Sequence, residues 1–124
     1  MPASRLLAVS VLALRVAYGA ALIAAPARLT RRWLGPAVER DPTRVALRGL
    51  GAREVLLHAG GLAATVRGGA VRPWLAASIA GDVADIASTA AGRRGLPEGA
   101  APATLAVAGA SALISVAVGA AVDR

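Results

Sequence analysis

The sequence predicts an all-α protein: a bundle of four transmembrane helices with antiparallel neighbours and short loops. Three observations predict it. Hydrophobic residues make up 56% of the chain and its mean hydropathy is +0.61, against an apolar share of roughly 45–50% in soluble domains. The apolar residues gather into four runs, separated by connections that hold most of the arginines. Inside two of those runs, ionisable residues recur at helical spacing. One membrane domain over residues 1–124 follows, with helices expected at 5–26, 43–66, 73–91 and 100–122. A soluble helical bundle is the alternative, and its core would rest almost wholly on small aliphatics, because the chain has no Phe.

Leu6 to Ala25 is the first run. Twenty residues at about 1.5 Å each cross a hydrocarbon layer of about 30 Å. Arg5 ahead of the run and small residues near Ala24, Ala25 and Ala27 also fit a signal peptide, and Arg15 in the middle of the apolar region argues against one. Pro26 is expected to close the helix, since it lacks a backbone donor and crowds the preceding turn. Next come Leu29, Trp33 and Leu34 among Arg28, Arg31 and Arg32, a spacing that suits a short interfacial helix over 28–35. Trp33 would sit at headgroup depth. A plain basic loop fits that stretch equally well.

Asp41-Pro42 reads as an N-cap followed by proline at the first helical position, which starts the second run. The connection from Arg67 to Trp74 is short, so the second and third helices should be antiparallel neighbours. Pro73 marks the third helix start and Trp74 a second interfacial anchor. After the turn-like GRRGLPEG, the run from Ala100 to Val122 carries no charge. Its Ser111, Ser115 and Gly119, four apart, form a small-residue face suited to close helix packing.

The buried charges are the informative part. Glu54, His58, Gly61 and Thr65 line one face of the second helix, and Ser78, Asp82, Asp85 and Thr89 repeat that spacing on the third. Counted from the shared connection, His58 and Asp82 each lie eight residues in, so they should be level, and Glu54 and Asp85 should be level near mid-membrane. Arg15 falls near Asp82 in depth. Arg48 lies nearer the opposite surface, from which it can snorkel. The expected buried polar layer is therefore Arg15, Arg48, Arg53, Glu54, His58, Asp82 and Asp85, with Arg15 paired to Asp82 and Arg53 to Asp85 or Glu54. Glu54 and Asp85 left facing each other would instead share a proton.

Arg15, Tyr18 and Gly19, then Pro26 and Trp33-Leu34-Gly35, then Arg48-Gly-Leu-Gly51-Ala-Arg53-Glu54 and Asp82-x-x-Asp85 form a pattern that resembles small four-helix actinobacterial integral membrane proteins of unknown function. The resemblance covers most of the chain. It implies the four-helix topology and a polar layer between the second and third helices, and no catalytic residue. His58 stands where the resemblance implies a small or apolar residue.

Three functional readings follow from these residues. A structural, accessory or interaction protein needs the charges only to be paired and to fix which helices meet, and this is the expected function. A proton-coupled transport component, oligomeric because four helices leave little room for water, would relay protons through Glu54, Asp82 and Asp85 with His58. A metal-dependent membrane enzyme would use Glu54-x-x-x-His58 with Asp82-x-x-Asp85 as ligands, although three arginines compete for the same carboxylates. No catalytic residue, metal or cofactor is expected. The chain has no Cys, which removes disulfides and thiolate sites, and it has no Gly-rich phosphate loop or nucleophile elbow.

The formal charge of +7 comes from fourteen arginines without a lysine. They lack the interleaved aromatics on which bases stack, so lipid headgroups and not nucleic acid are the expected anionic neighbours. A homo-oligomer or a larger membrane protein is the expected protein partner. Arg28, Arg31, Arg32, Arg40, Arg44, Arg93 and Arg94 lie on one side, against Arg5, Arg67, Arg72 and Arg124 on the other. The richer side should be cytoplasmic, giving a multi-pass protein of the plasma membrane with both termini outside.

Overall fold

The structure, a computed structural model, describes residues 1–122. Among them are five α-helices and no strand: α1 (Ala3–Ala24), α2 (Pro26–Leu34), α3 (Asp41–Val66), α4 (Arg72–Gly92) and α5 (Ala100–Ala121). Short 3-10 turns at Gly35–Glu39 and Arg93–Gly95 complete the connections. Two of the five, α1 and α5, are long and apolar enough to cross a membrane by length and composition. The expectation was four such helices. Charged residues at the centres of α3 and α4 lower their hydropathy, so these two do not qualify on their own sequence.

The helix boundaries follow local chemistry. Pro26 opens α2 directly after α1 ends, as the first residue of its own helix, a position where the missing donor costs nothing. The interfacial stretch expected over 28–35 is therefore a helix that begins two residues earlier. Asp41, expected as the N-cap, lies instead within the first turn of α3, and Arg40 caps without a side-chain bond. There the Asp41 charge favours the helix N-terminus. At the end of α3, Gly68 adopts φ +75°, and the amides of Gly68 and Gly69 donate back to the carbonyls of Thr65 (3.2 Å) and Ala64 (2.8 Å). This is the glycine-dependent helix stop that satisfies two orphan carbonyls.

The closest helix pairings are α1 with α3 and α4 with α5, while α3 meets α4 less intimately. Sequence proximity makes α3 and α4 neighbours but does not decide how near they come. Glycine decides that for α1 and α3. A Cβ on Gly19 would lie 2.7 Å from the carbonyl oxygen of Gly51, and one on Gly51 2.6 Å from that of Gly19. The two backbones cross in direct contact at this point. Trp74 of α4 lies against Gly60 and Gly61 of α3: a Cβ on Gly60 would strike its ring, and one on Gly61 would lie 3.0 Å from its Cβ. Ala8, Leu12, Val71, Leu75, Val118 and Val122 close the core at that end of the bundle.

Arginines tie the helix ends together. Arg5 donates to the carbonyls of Thr65 (3.0 Å) and Gly69 (2.9 Å), Arg48 to Ile23 (3.3 Å), Arg72 to Gly119 (2.9 Å) and Arg93 to Ala90 (3.0 Å). Each of the four long helices thus has a guanidinium at its C-terminal carbonyls, where the helix dipole is negative. The same bonds show that α3 runs antiparallel to α1, and α5 antiparallel to α4.

Candidate functional site

Every long helix contributes a polar side chain from its middle to one layer. Arg15 of α1 lies one turn before the Gly19 crossing, and Glu54 of α3 nearly one turn after Gly51, so the contact of the two backbones brings guanidinium and carboxylate within bonding range. Arg15 Nε donates to Glu54 Oε2 at 2.9 Å and Nη2 to Glu54 Oε1 at 3.1 Å. On its other edge, Nη1 and Nη2 donate to the two carboxylate oxygens of Asp82 in α4 at 3.1 and 3.0 Å. Nη1 also donates to the hydroxyl of Ser111 in α5. All five guanidinium N–H groups are thereby used, in the planar fork geometry that only arginine offers. The Arg15 side chain is 15% exposed, against 3% for Glu54 and 4% for Asp82.

His58, one turn beyond Glu54, extends this layer. Its Nδ1 is 2.7 Å from the Glu54 carbonyl oxygen and 3.3 Å from the Glu54 carboxylate, while Nε2 is 2.9 Å from the Ser78 hydroxyl. A carbonyl only accepts, so Nδ1 carries the hydrogen, and in the neutral ring Nε2 accepts from Ser78. Glu54, His58, Gly61, Thr65, Ser78 and Asp82 are all buried, whereas Asp85 and Thr89 are half-buried at the edge of the α4 stripe.

Arg53 and Asp85, expected in the buried layer, form instead a second, outer pair, with Arg53 exposed and Asp85 half-buried. Arg53 Nη2 lies 3.2 Å from Asp85 Oδ2 and 3.7 Å from Glu54 Oε1. Arg48 stands apart from both sets. It is exposed and bonds the Ile23 carbonyl, which corrects its expected place in the buried layer. The helix register turns it toward the end of α1, and a backbone carbonyl is there to receive it.

The other expected residues take intramolecular positions. Trp33 Nε1 donates to the Thr104 hydroxyl at 2.9 Å, strapping α2 to α5, and Trp74 packs on the α3 glycines. Ser111 binds Arg15, Ser115 is buried, and Gly119 supplies the carbonyl for Arg72. The part of Ser111 as an acceptor for Arg15 was not anticipated. Its position at the middle of the one uncharged run, level with Arg15, was the available signal. Arg124, counted in the orientation argument, lies outside the described residues.

The chemistry open to this layer is limited by how completely it is satisfied. Among the described residues no buried side-chain nitrogen or oxygen lacks a hydrogen-bond partner, and no group of three or more His, Cys, Asp or Glu side chains is placed to share a metal ion. Surface depressions lie away from the layer, one around Pro2, Arg5, Thr65 and Gly68 and one around Ile86, Arg93, Pro102 and Leu105. Comparison with protein-family models, with curated proteins and with solved structures finds no match to this chain.

Proposed function

We propose that this chain is a small multi-pass protein of the plasma membrane that acts as a structural or accessory interaction component, without catalytic activity. Helices α1, α3, α4 and α5 would cross the bilayer and α2 would lie at the interface. The observation that carries the reading is a charged layer inside an apolar exterior: Glu54, His58, Ser78, Asp82 and Ser115 are buried, while Leu6, Leu14, Leu56, Val107, Leu113 and Val116 are each more than half exposed. Such an arrangement suits a solvent of lipid tails. The sequence resemblance to small four-helix actinobacterial membrane proteins implies the same topology.

The charged layer then has a structural task. Each Arg, Asp or Glu at a helix centre costs about 2.5–3.5 kcal/mol on insertion scales, so α3 and α4 need partners for their charges before they are stable in the bilayer. Arg15 supplies one partner to each. The same guanidinium weakens the proton-relay alternative, because a fixed positive charge bonded to Glu54 and Asp82 stands between the groups that would hand protons on. The arginine-rich end, with α2 and the α4–α5 connection, would face the cytoplasm, with both termini outside.

Membrane fractionation and flux together test the reading. The protein should stay with the membrane after an alkaline wash, and proteoliposomes carrying it should show no pH-driven proton uptake above empty vesicles. Release by the wash would overturn the membrane assignment. Uptake abolished by Glu54→Gln would replace the structural role by a transport role.

A further inference from the structure

We infer that the α3–α4 face bearing Arg53 and Asp85 is a two-fold interface with a second copy of this chain. The inference rests on the membrane reading above. Arg53 lies at the midpoint of α3, about 19 Å from either end at about 1.5 Å per residue, further than an arginine side chain extends. It cannot snorkel to water from there. Yet its side chain is 44% exposed and that of Asp85 36% exposed. An ion pair open to hydrocarbon at mid-depth is unfavourable, and intramembrane charges almost always face protein or water. Something polar covers this pair.

The surrounding surface admits a close neighbour. Ala46 and Gly49 precede Arg53 on its face of α3, and Gly81, Ala84 and Ser88 flank Asp85 on α4. Ala46, Gly49, Ala84 and Ser88 are exposed, and a Cβ on Gly49 would meet nothing within 4 Å. Small side chains let a second backbone approach closely, and here they frame a charged pair.

Charge complementarity selects the occupant. Arg53 and Asp85 are bonded within one copy, so they lie at one depth. A two-fold axis along the membrane normal preserves depth and inserts both copies in the same orientation. It therefore sets Arg53 of each copy against Asp85 of the other, giving a four-membered ring of alternating charge with no net charge. An isologous contact needs such a self-complementary patch. An unrelated partner would need its own matched ion pair at that level, and a second copy brings one by symmetry.

The absence of cysteine makes the test direct. Gly49→Cys, Ala84→Cys and Ser88→Cys, introduced singly, should give disulfide-linked dimers in native membranes under mild oxidant, with at least one position cross-linking about tenfold more than Leu113→Cys on the exposed face of α5. Arg53→Asp and Asp85→Arg, each carried on a Ser88→Cys chain, should lose the cross-link separately and regain it as a heterodimer when co-expressed. Equal cross-linking at position 113, or none at 49, 84 and 88, would overturn the inference in the otherwise unaltered chain, whatever the charge variants do to folding. The same membranes receive the alkaline wash. A retained monomer sinks this inference alone, and a released protein sinks the membrane reading on which it rests.

Discussion

Two arginines sit at the same depth of this bundle, and both bind carboxylates, but they have opposite surroundings. Arg15 is enclosed by four helices, with every N–H engaged. Arg53 reaches outward across the thinner α3–α4 contact to Asp85, and nearly half of its side chain stays open. The difference comes from the backbone. Gly19 and Gly51 let α1 touch α3 directly, so a guanidinium on one falls between carboxylates on its neighbours, whereas no such crossing draws α3 onto α4. The same ionic chemistry holds the inside of the bundle together in one case and marks its outside in the other.

The largest expected effect breaks the inner set. Arg15→Ala leaves Glu54 and Asp82 buried without a counter-charge and should cost about 3–5 kcal/mol, read as loss of monodisperse protein and a lowered unfolding midpoint in detergent. Arg15→Lys should recover only part, because a point charge cannot serve two carboxylates bidentately. Replacing the whole set, as Arg15→Leu/Glu54→Leu/Asp82→Leu, should restore most of the stability, since a buried ion network is often replaceable by apolar side chains of similar volume. A triple variant no better than Arg15→Ala would contradict the pairing account.

A smaller effect tests the backbone crossing. Gly51→Ala drives a Cβ into the Gly19 carbonyl and into Leu22, whose Cβ would lie 2.9 Å away, and should destabilise by about 1–3 kcal/mol. Gly109→Ala, where an added Cβ meets nothing within 4 Å, should instead gain up to about 1 kcal/mol from helix propensity. Thermal unfolding of the two side by side would separate close packing from propensity; equal effects would remove the crossing as the cause of the inner set. The smallest effect belongs to the outer pair. Arg53→Gln should change the unfolding free energy of the detergent-solubilised monomer by less than about 1 kcal/mol, the usual worth of an exposed ion pair. A loss as large as that of Arg15→Ala would erase the distinction.

Much of the layer was legible because helical period and depth are both arithmetic. The i, i+4, i+7, i+11 stripes put Glu54 and His58 on one face and Ser78 and Asp82 on another, and counting residues from a short loop set Arg15 level with Asp82. The bonds between Arg15 and Asp82 and between Arg53 and Asp85 follow from those two counts. What escaped depends on helix rotation and distance, which no periodicity encodes. Arg15 binds Glu54 as well as Asp82 because α1 presses on α3, and that closeness comes from two glycines among the fourteen in the chain. Arg48 counts by sequence as part of the polar layer, nearer the opposite surface, from which it can snorkel. Its register turns it out toward the Ile23 carbonyl. Helix α2 is legible as an amphipathic stretch, but Pro26 reads as a stop and is also a start, since the same missing donor suits both ends of a break.

The arginine bonds at the helix ends bear on how the chain is made. Three of the four come from elsewhere in the chain, and they differ in order of synthesis. Arg5 is already present when the end of α3 leaves the ribosome, and Arg72 precedes the end of α5, but the carbonyls of α1 must wait for Arg48. Arg93 follows its own carbonyl by three residues, so the first helix is the one whose end waits longest for its arginine, until α3 folds back along it. The return of α3 thus completes the end of α1 and delivers Glu54 to Arg15 together.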